Sequence, residues 1–447
     1  MQHFFLALFY VNVCSLILNR VYFSVLQKLK ALGPGLLYAG AAVGVSHIVQ
    51  STKAGAEYGY VLIIGIVLAH IFKYPFFELG PKYTQSTGKN LLHGYAKIGK
   101  WALAIVAILT VATMFTIQAA VTIVTAGLAI KISGLNLSPV AMSAILLTVC
   151  LIISAVGRYA VLDKLMKVIM ITLAVTTIVA VCSSFFYSIP SSTYTPGKIF
   201  NLFDSFDLMF LIAFLGWMPA PLDISIWHSI WSEEKMEQNN QSEASQSLFD
   251  FKVGFWGTAL LGIGFLVLGA NVIYGSGTEL ASGGVAYAQQ LIDIYVSSIG
   301  GWSYWIIAIA AFTTMFSTTL TCLDAMPRVL TKIGTMWRLQ NTQSTLGANE
   351  IVDKKPSDRR PRIMWLFVIA TGALVVLQFF ITDMKQMVNV ATSFSFLTAP
   401  ILAILGIIVV KRQLPVNFWS KGKYTIAYLG VAFLVILGAI YIRLVIA

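Results

Sequence analysis

Charged residues make up 11% of this 447-residue chain, against roughly 25% in an ordinary soluble domain. Acids are the scarcer half: 18 Asp and Glu stand against 30 Lys and Arg, with 5 His beside them. So little charge excludes a water-soluble globular protein. The signatures of soluble enzymes are missing as well: no GxxxxGK[ST], HExxH or GxSxG occurs, and no GxGxxG follows a strand. That argues against an enzyme and against ATP-driven transport by this chain alone. The 4 cysteines, Cys14, Cys150, Cys182 and Cys322, lie in apolar runs without CxxC or Cys/His spacing. Free thiols, no zinc site and no resident cofactor are expected. Residues 1–32 lack the basic start and small-residue cleavage site of a signal peptide. This apolar stretch, which carries Asn12, Asn19 and Arg20, reads as an interfacial or packed cytoplasmic helix, with an additional span as the alternative.

Apolar length is what the chain has in abundance. It is 58% hydrophobic with mean hydropathy +0.81, and runs long enough to cross a bilayer occur near 34–54, 59–80, 101–130, 138–156, 165–187, 206–231, 253–274, 302–327, 363–382, 386–410 and 424–446. An all-α polytopic membrane protein of about eleven spans follows. The net charge of +12 does not indicate nucleic acid, because the basic residues fall in short loops and not on a soluble face. Lys28 and Lys30; Lys82, Lys89, Lys97 and Lys100; Arg158, Lys164 and Lys167; Arg328 to Arg362; and Lys411, Arg412, Lys421 and Lys423 all fall on one side. Basic loops stay in the cytoplasm, which places the N-terminal side of the first span there, in a bacterial-type plasma membrane.

Two spans are interrupted. Gly33 to Tyr60 opens with Gly-Pro-Gly and is broken at its centre by Gly40, Gly44, Ser46 and His47, while the sixth span carries Pro219 and Pro221, which remove two backbone donors. Unwound backbone at membrane depth is tolerated where it lines a cavity, and transporters use such breaks to hold substrates and ions. Breaks five spans apart are the signature of an inverted five-plus-five repeat. The organisation read from this is an N-terminal segment 1–32, a first repeat 33–187, an extracytoplasmic connection 188–205, a second repeat 206–410 with a cytoplasmic linker 340–362, and an eleventh helix in 411–447.

Gly33 to Gly35, the AGAEYGY of Ala54 to Tyr60, Met218-Pro219 and His228-Ser229 resemble the Nramp family of proton-coupled divalent-metal transporters. The resemblance runs the length of the chain and implies the LeuT-type fold. It places the family's metal-binding DPGN on Gly44, Val45, Ser46 and His47, so the Asp is absent and His47 stands where Asn belongs. The family's MPH becomes Met218, Pro219, Ala220; anchoring on His228 instead puts Pro221 at the methionine position and Asp223 at the histidine position. In TSFSFL of the tenth span, Ser395 replaces the family's polar Gln. The third span has no Asp or Glu, where the family keeps proton-carrying acids, so proton coupling is expected to be weak or absent.

Ionisable groups at membrane depth are costly and are functional candidates by default. His47 in the first break is either a ligand for a transition metal or a donor to freed carbonyls. Asp223, beyond the second break, either binds the substrate or caps the new half-helix. With unwound carbonyls near Ala41 and Trp217 they form the expected cation site, His47 and Asp223 being the metal ligands and Gly44, Ser46, Met218 and Ser395 lining it. His70, Lys73, His228 and Asp324 are candidates for a pathway or gate, with an i,i+4 pair to Arg328 the plainer reading of Asp324. Thr113, Thr116, Gln118 and Thr122 read as interhelical glue.

The function expected is a secondary transporter of a divalent metal ion, monomeric or weakly oligomeric, with the lipid bilayer as its other partner. A Na⁺- or H⁺-coupled symporter of a small organic solute is the alternative from the same fold, and a transport-inactive receptor or scaffold is the alternative outside it.

Overall fold

A computed structural model describes residues 33–156, 159–186, 195–238, 244–281, 283–346, 359–380 and 384–446. Segment 1–32, the first part of the 188–205 connection and the middle of the 340–362 linker lie outside them.

Among the described residues the regular secondary structure is helix alone, and eight helices are long and apolar enough to cross a membrane. The fourth span, Pro139–Val156, is shorter, and the first and sixth are divided. Together these make eleven spans, each at the position the hydropathy predicts. Two further helices, Leu91–Ile98 and Gly284–Ile299, are amphipathic pieces between spans that apolar length alone does not reveal. Cys150, Cys182 and Cys322 are free thiols.

The first span runs as a helix over Pro34–Ala42, breaks at Val43 and Gly44, and resumes as a π-helix over Val45–Ser51 and an α-helix over Thr52–Tyr58. The sixth is helical over Ser205–Gly216, loses helical form through the two prolines, and restarts over Ile224–Gln238. Both interruptions are thus where the glycines and prolines predict them.

Glycine sets the distance between the first and seventh spans. A Cβ on Gly35 would come within 2.2 Å of the Asp250 carbonyl oxygen, and one on Gly55 within 1.9 Å of that of Leu266. Close backbone approach of this kind is how helices gain contact where lipid offers no hydrophobic drive. Asp250 also accepts a hydrogen bond from the Gly35 amide at 2.8 Å, which satisfies a free N–H at the start of the first half-helix. The third and eighth spans meet along polar groups: Gln118 Nε2 donates to the Thr319 carbonyl at 3.2 Å, and the Thr125 and Thr319 hydroxyls lie 2.8 Å apart. Of the residues expected to act as glue, Gln118 bonds across helices, whereas the hydroxyls of Thr113, Thr116 and Thr122 bond to carbonyls of their own helix one turn back.

A candidate ion site between two broken helices

At the first break the freed carbonyls are met by hydroxyls. Thr318 of the eighth span lies 2.9 Å from the Gly40 oxygen and 3.2 Å from the Val43 oxygen. Gly44 is what lets it approach, since a Cβ there would come within 2.7 Å of the Thr318 side chain. Ser46 Oγ is 2.8 Å from the Ala42 oxygen and 2.7 Å from His47 Nδ1. The other ring nitrogen, His47 Nε2, lies 3.1 Å from the Thr258 carbonyl of the seventh span. A carbonyl only accepts, which assigns the proton to Nε2 and leaves Nδ1 to accept from Ser46 in the neutral ring. Ser46 has one proton for two acceptors, Ala42 and His47. Both nitrogens of His47, which is wholly buried, are thus engaged by the protein.

At the second break the freed carbonyls are met by an ammonium. Lys73 Nζ of the second span lies 2.7 Å from the Leu215 oxygen, 3.0 Å from Gly216 and 2.9 Å from Met218. Trp217 is buried with its indole N–H unpartnered among the described residues. Asp223, 8% exposed, begins the second half-helix, its backbone oxygen accepting from the Ile226 and Trp227 amides at 2.9 and 3.2 Å. Among the described residues no cation pairs with its carboxylate, and the Cys322 thiol of the eighth span lies within its electrostatic reach.

The two breaks meet over Gly262 of the seventh span. From the position a Cβ would take there, Met218 Sδ is 3.6 Å away, His47 Cδ2 3.4 Å and His47 Nε2 3.7 Å. Imidazole and thioether therefore both border Gly262. Ser395 is buried with its hydroxyl unpartnered among the described residues. The carbonyls that take hydrogen bonds belong to Gly40, Ala42 and Val43, flanking Ala41, and to Leu215, Gly216 and Met218, flanking Trp217. No group of three or more His, Cys, Asp or Glu side chains is gathered at one point among the described residues. Any ion held here must draw on sulfur, imidazole and backbone oxygen as well as on carboxylate.

The remaining candidates lie elsewhere. His228 sits in an aromatic box with Tyr38 at 5.8 Å and Phe251 at 5.7 Å between ring centroids, and His70 meets Phe255 at 5.3 Å. Asp324 pairs with Arg328 at 2.6 Å, as the four-residue spacing predicts, and also with Arg362; Arg328 reaches on to Glu234. Glu78 pairs with Lys423, and Glu233 with Lys332 at 3.0 Å and with Asn90. These ties join the second, sixth, eighth, ninth and eleventh spans at the basic end of the molecule. At the opposite end Asp207 accepts from the Tyr58 hydroxyl at 2.9 Å and pairs with Lys198, whose ammonium is raised above the ordinary lysine pKa by that bond. Both ends of the site are tied.

Sequence reasoning passed over Thr318, the Thr258 carbonyl and Gly262. The hydroxyl-rich run TTMFSTTLT from Thr313 to Thr321 is the one signal that pointed to the first of these.

Residues 35–446 match the family model described as natural resistance-associated macrophage protein-like. An uncharacterized protein of Pasteurella multocida (strain Pm70) is 36% identical over 390 residues, which are 86% of each chain. The fold is similar to that of the Eremococcus coleocola manganese transporter in complex with an aromatic bis-isothiourea substituted compound, with a TM-score of 0.60 at 14% identity over 92% of this chain and 85% of that one. It is also similar to MhsT in complex with L-phenylalanine, with a TM-score of 0.58 at 13% identity over 93% and 97%. At such identities the likeness speaks for the fold, which is the LeuT type.

Proposed function

Since the chain belongs to the Nramp family of transporters, we propose that it is a secondary transporter moving a divalent metal ion across a bacterial inner membrane by alternating access. The N-terminal side of its first core span faces the cytoplasm, and it works as a monomer or weak oligomer. The observation that carries this reading is the meeting of the His47 imidazole and the Met218 thioether above Gly262. One nitrogen and one sulfur donor favour borderline first-row metals over Mg²⁺ and Ca²⁺. Asp223 supplies the negative charge that the missing DPGN Asp would have given, and the carbonyls of Gly40 and Val43 supply oxygen. Manganese, named for the E. coleocola protein, is the first ion to test.

Ligation asks His47 to give up either the Thr258 carbonyl or the Ser46 hydroxyl. Ligation through Nδ1 displaces only the Ser46 hydroxyl; ligation through Nε2 needs the other tautomer and gives up the Thr258 carbonyl, and because Thr258 belongs to the seventh span, that second course loosens the first span from the seventh at the break. That exchange links occupancy to movement of the half-helices, as alternating access requires. A small organic solute is the competing cargo. Lys73 would be the natural partner of its carboxylate, but the three protons of the ammonium already face three carbonyls.

Uptake into proteoliposomes tests the reading. Mn²⁺ is expected to enter wild-type vesicles down its own gradient with little accompanying proton flux, and Asp223→Asn is expected to slow entry about 100-fold. Indifference to every divalent ion, with uptake of an amino acid instead, would overturn it.

A further inference from the structure

We propose that Lys73 is a tethered cation filling a carbonyl site that would otherwise take a monovalent ion, so that transport runs without Na⁺. The functional half rests on the transporter reading above; the binding half does not.

The half-helix Ser205–Gly216 ends at the second break, and its last carbonyls carry the negative end of the helix dipole. Unwound carbonyls at the C-terminal end of a half-helix are the groups with which transporters coordinate Na⁺ or H⁺. Here three of them, on Leu215, Gly216 and Met218, converge on one nitrogen at 2.7 to 3.0 Å. An ammonium has three protons and no lone pair to satisfy, so donors and acceptors match one to one. The side chain arrives from another span and is wholly buried.

No carboxylate pairs with Lys73 among the described residues, and the nearest further support is the face of the Phe396 ring at 6.0 Å. A buried ammonium without a counter-ion is costly unless its surroundings replace water. The three carbonyls do what hydration, or a Na⁺ ligand shell, would do. The charge enters with the protein and never leaves it. Opening and closing of the sixth span therefore needs no exchange of a soluble cation at this point.

Removing the ammonium while leaving room for an ion tests this. Wild-type protein is expected to melt at the same temperature, and to take up Mn²⁺ at the same rate, whether the salt is sodium or choline. Lys73→Ala is expected to melt lower in choline and to recover by several degrees with Na⁺ or methylammonium, since either can enter the space and meet the carbonyls. Lys73→Met, which fills the space without charge, is expected to melt lower and to ignore both ions. The melting measurements need no transport, so they stand even where the cargo is not a metal.

Stabilisation of the wild type by Na⁺ would overturn the proposal, as would folded Lys73→Ala that is indifferent to Na⁺ and methylammonium alike. Should Lys73→Ala give no folded protein, uptake by the wild type and by Lys73→Met decides. Sodium-driven uptake by the wild type overturns the proposal, and sodium-indifferent uptake that Lys73→Met reduces about tenfold upholds it.

Discussion

The two breaks solve one problem with opposite chemistry. In the first span the carbonyls of Gly40, Ala42 and Val43 are served by the hydroxyls of Thr318 and Ser46. Each hydroxyl has one proton for more than one acceptor. In the sixth span three carbonyls receive three protons from Lys73. The first break is under-supplied with donors and has capacity left for a cation; the second is saturated. In the transport cycle proposed above the mobile ion sits beside the first break, near His47 and Met218, and the second break contributes fixed charge, with Asp223 at its far end.

The largest effect that sharpens this contrast is expected at Asp223. Asp223→Asn keeps the shape and the helix-start hydrogen bonding but removes the carboxylate, and Mn²⁺ uptake is expected to fall about 100-fold. The folded protein is expected to be as stable as the wild type or more so, because an unpaired buried charge is a burden on the native state. Uptake at the wild-type rate, measured beside unchanged melting, would reduce Asp223 to a cap.

Next is the division of labour over Gly262. Met218→Leu is expected to cost about tenfold in preference for Mn²⁺ over Mg²⁺, with Mg²⁺ itself little changed, since a thioether ligates the softer ion and not the harder one. His47→Ala is expected to lower Mn²⁺ affinity further and also to weaken the first span's tie to the seventh through Thr258. Competition between the two ions in the uptake assay separates these outcomes. Equal losses for both ions in both variants would make the pair structural.

Much of this arrangement is legible in the sequence, and what is not has a physical cause. Gly44 and the pair Pro219 and Pro221 mark the breaks because their backbone properties act locally. Asp324 and Arg328 declare their pairing by spacing. By contrast, Thr318 finds Gly40 across 278 residues and Lys73 finds Leu215 across 142, and no local pattern encodes which span faces which. Lys73 is noticeable as a charge at membrane depth, but its task depends on where the sixth span unwinds. Met218 is hidden for another reason: the altered spacing to His228 displaces it in a linear comparison, while the fold brings its sulfur to Gly262, which His47 also borders.

A smaller effect is expected at Thr318. Thr318→Val is nearly isosteric and removes the one proton shared between the Gly40 and Val43 carbonyls at the first break, a loss of about 1–3 kcal/mol for a buried acceptor left unmet. If that break is under-supplied, a divalent cation should compensate, and Mn²⁺ should stabilise the variant more than the wild type in a thermal melt. Equal stabilisation of both proteins would break the contrast between the two sites.

The smallest effect concerns the cytoplasmic anchor of the sixth span. Glu233 there pairs with Lys332 and Asn90, and His93, in the short helix Leu91–Ile98 outside the membrane, lies in the same cluster. Burial pushes the His93 imidazole below its usual pKa; Glu233 opposes that shift, while Lys89 and Lys332 add to it. The sign follows from which state binds the proton. Above about pH 6.5 the ring is neutral folded or unfolded and adds no pH dependence. As pH falls below that, the unfolded chain takes up its proton first, so stability declines until the folded ring titrates as well. His93→Gln is therefore expected to flatten the acid side of the melting-temperature profile, from about pH 6.5 downward, without altering Mn²⁺ uptake at neutral pH. The first span is anchored at the same end by the Asp250 contact to the Gly35 amide, where no histidine takes part. An acid slope that persists unchanged in His93→Gln would remove the titrating group from the sixth span's anchor and, with it, the last asymmetry between the two broken helices.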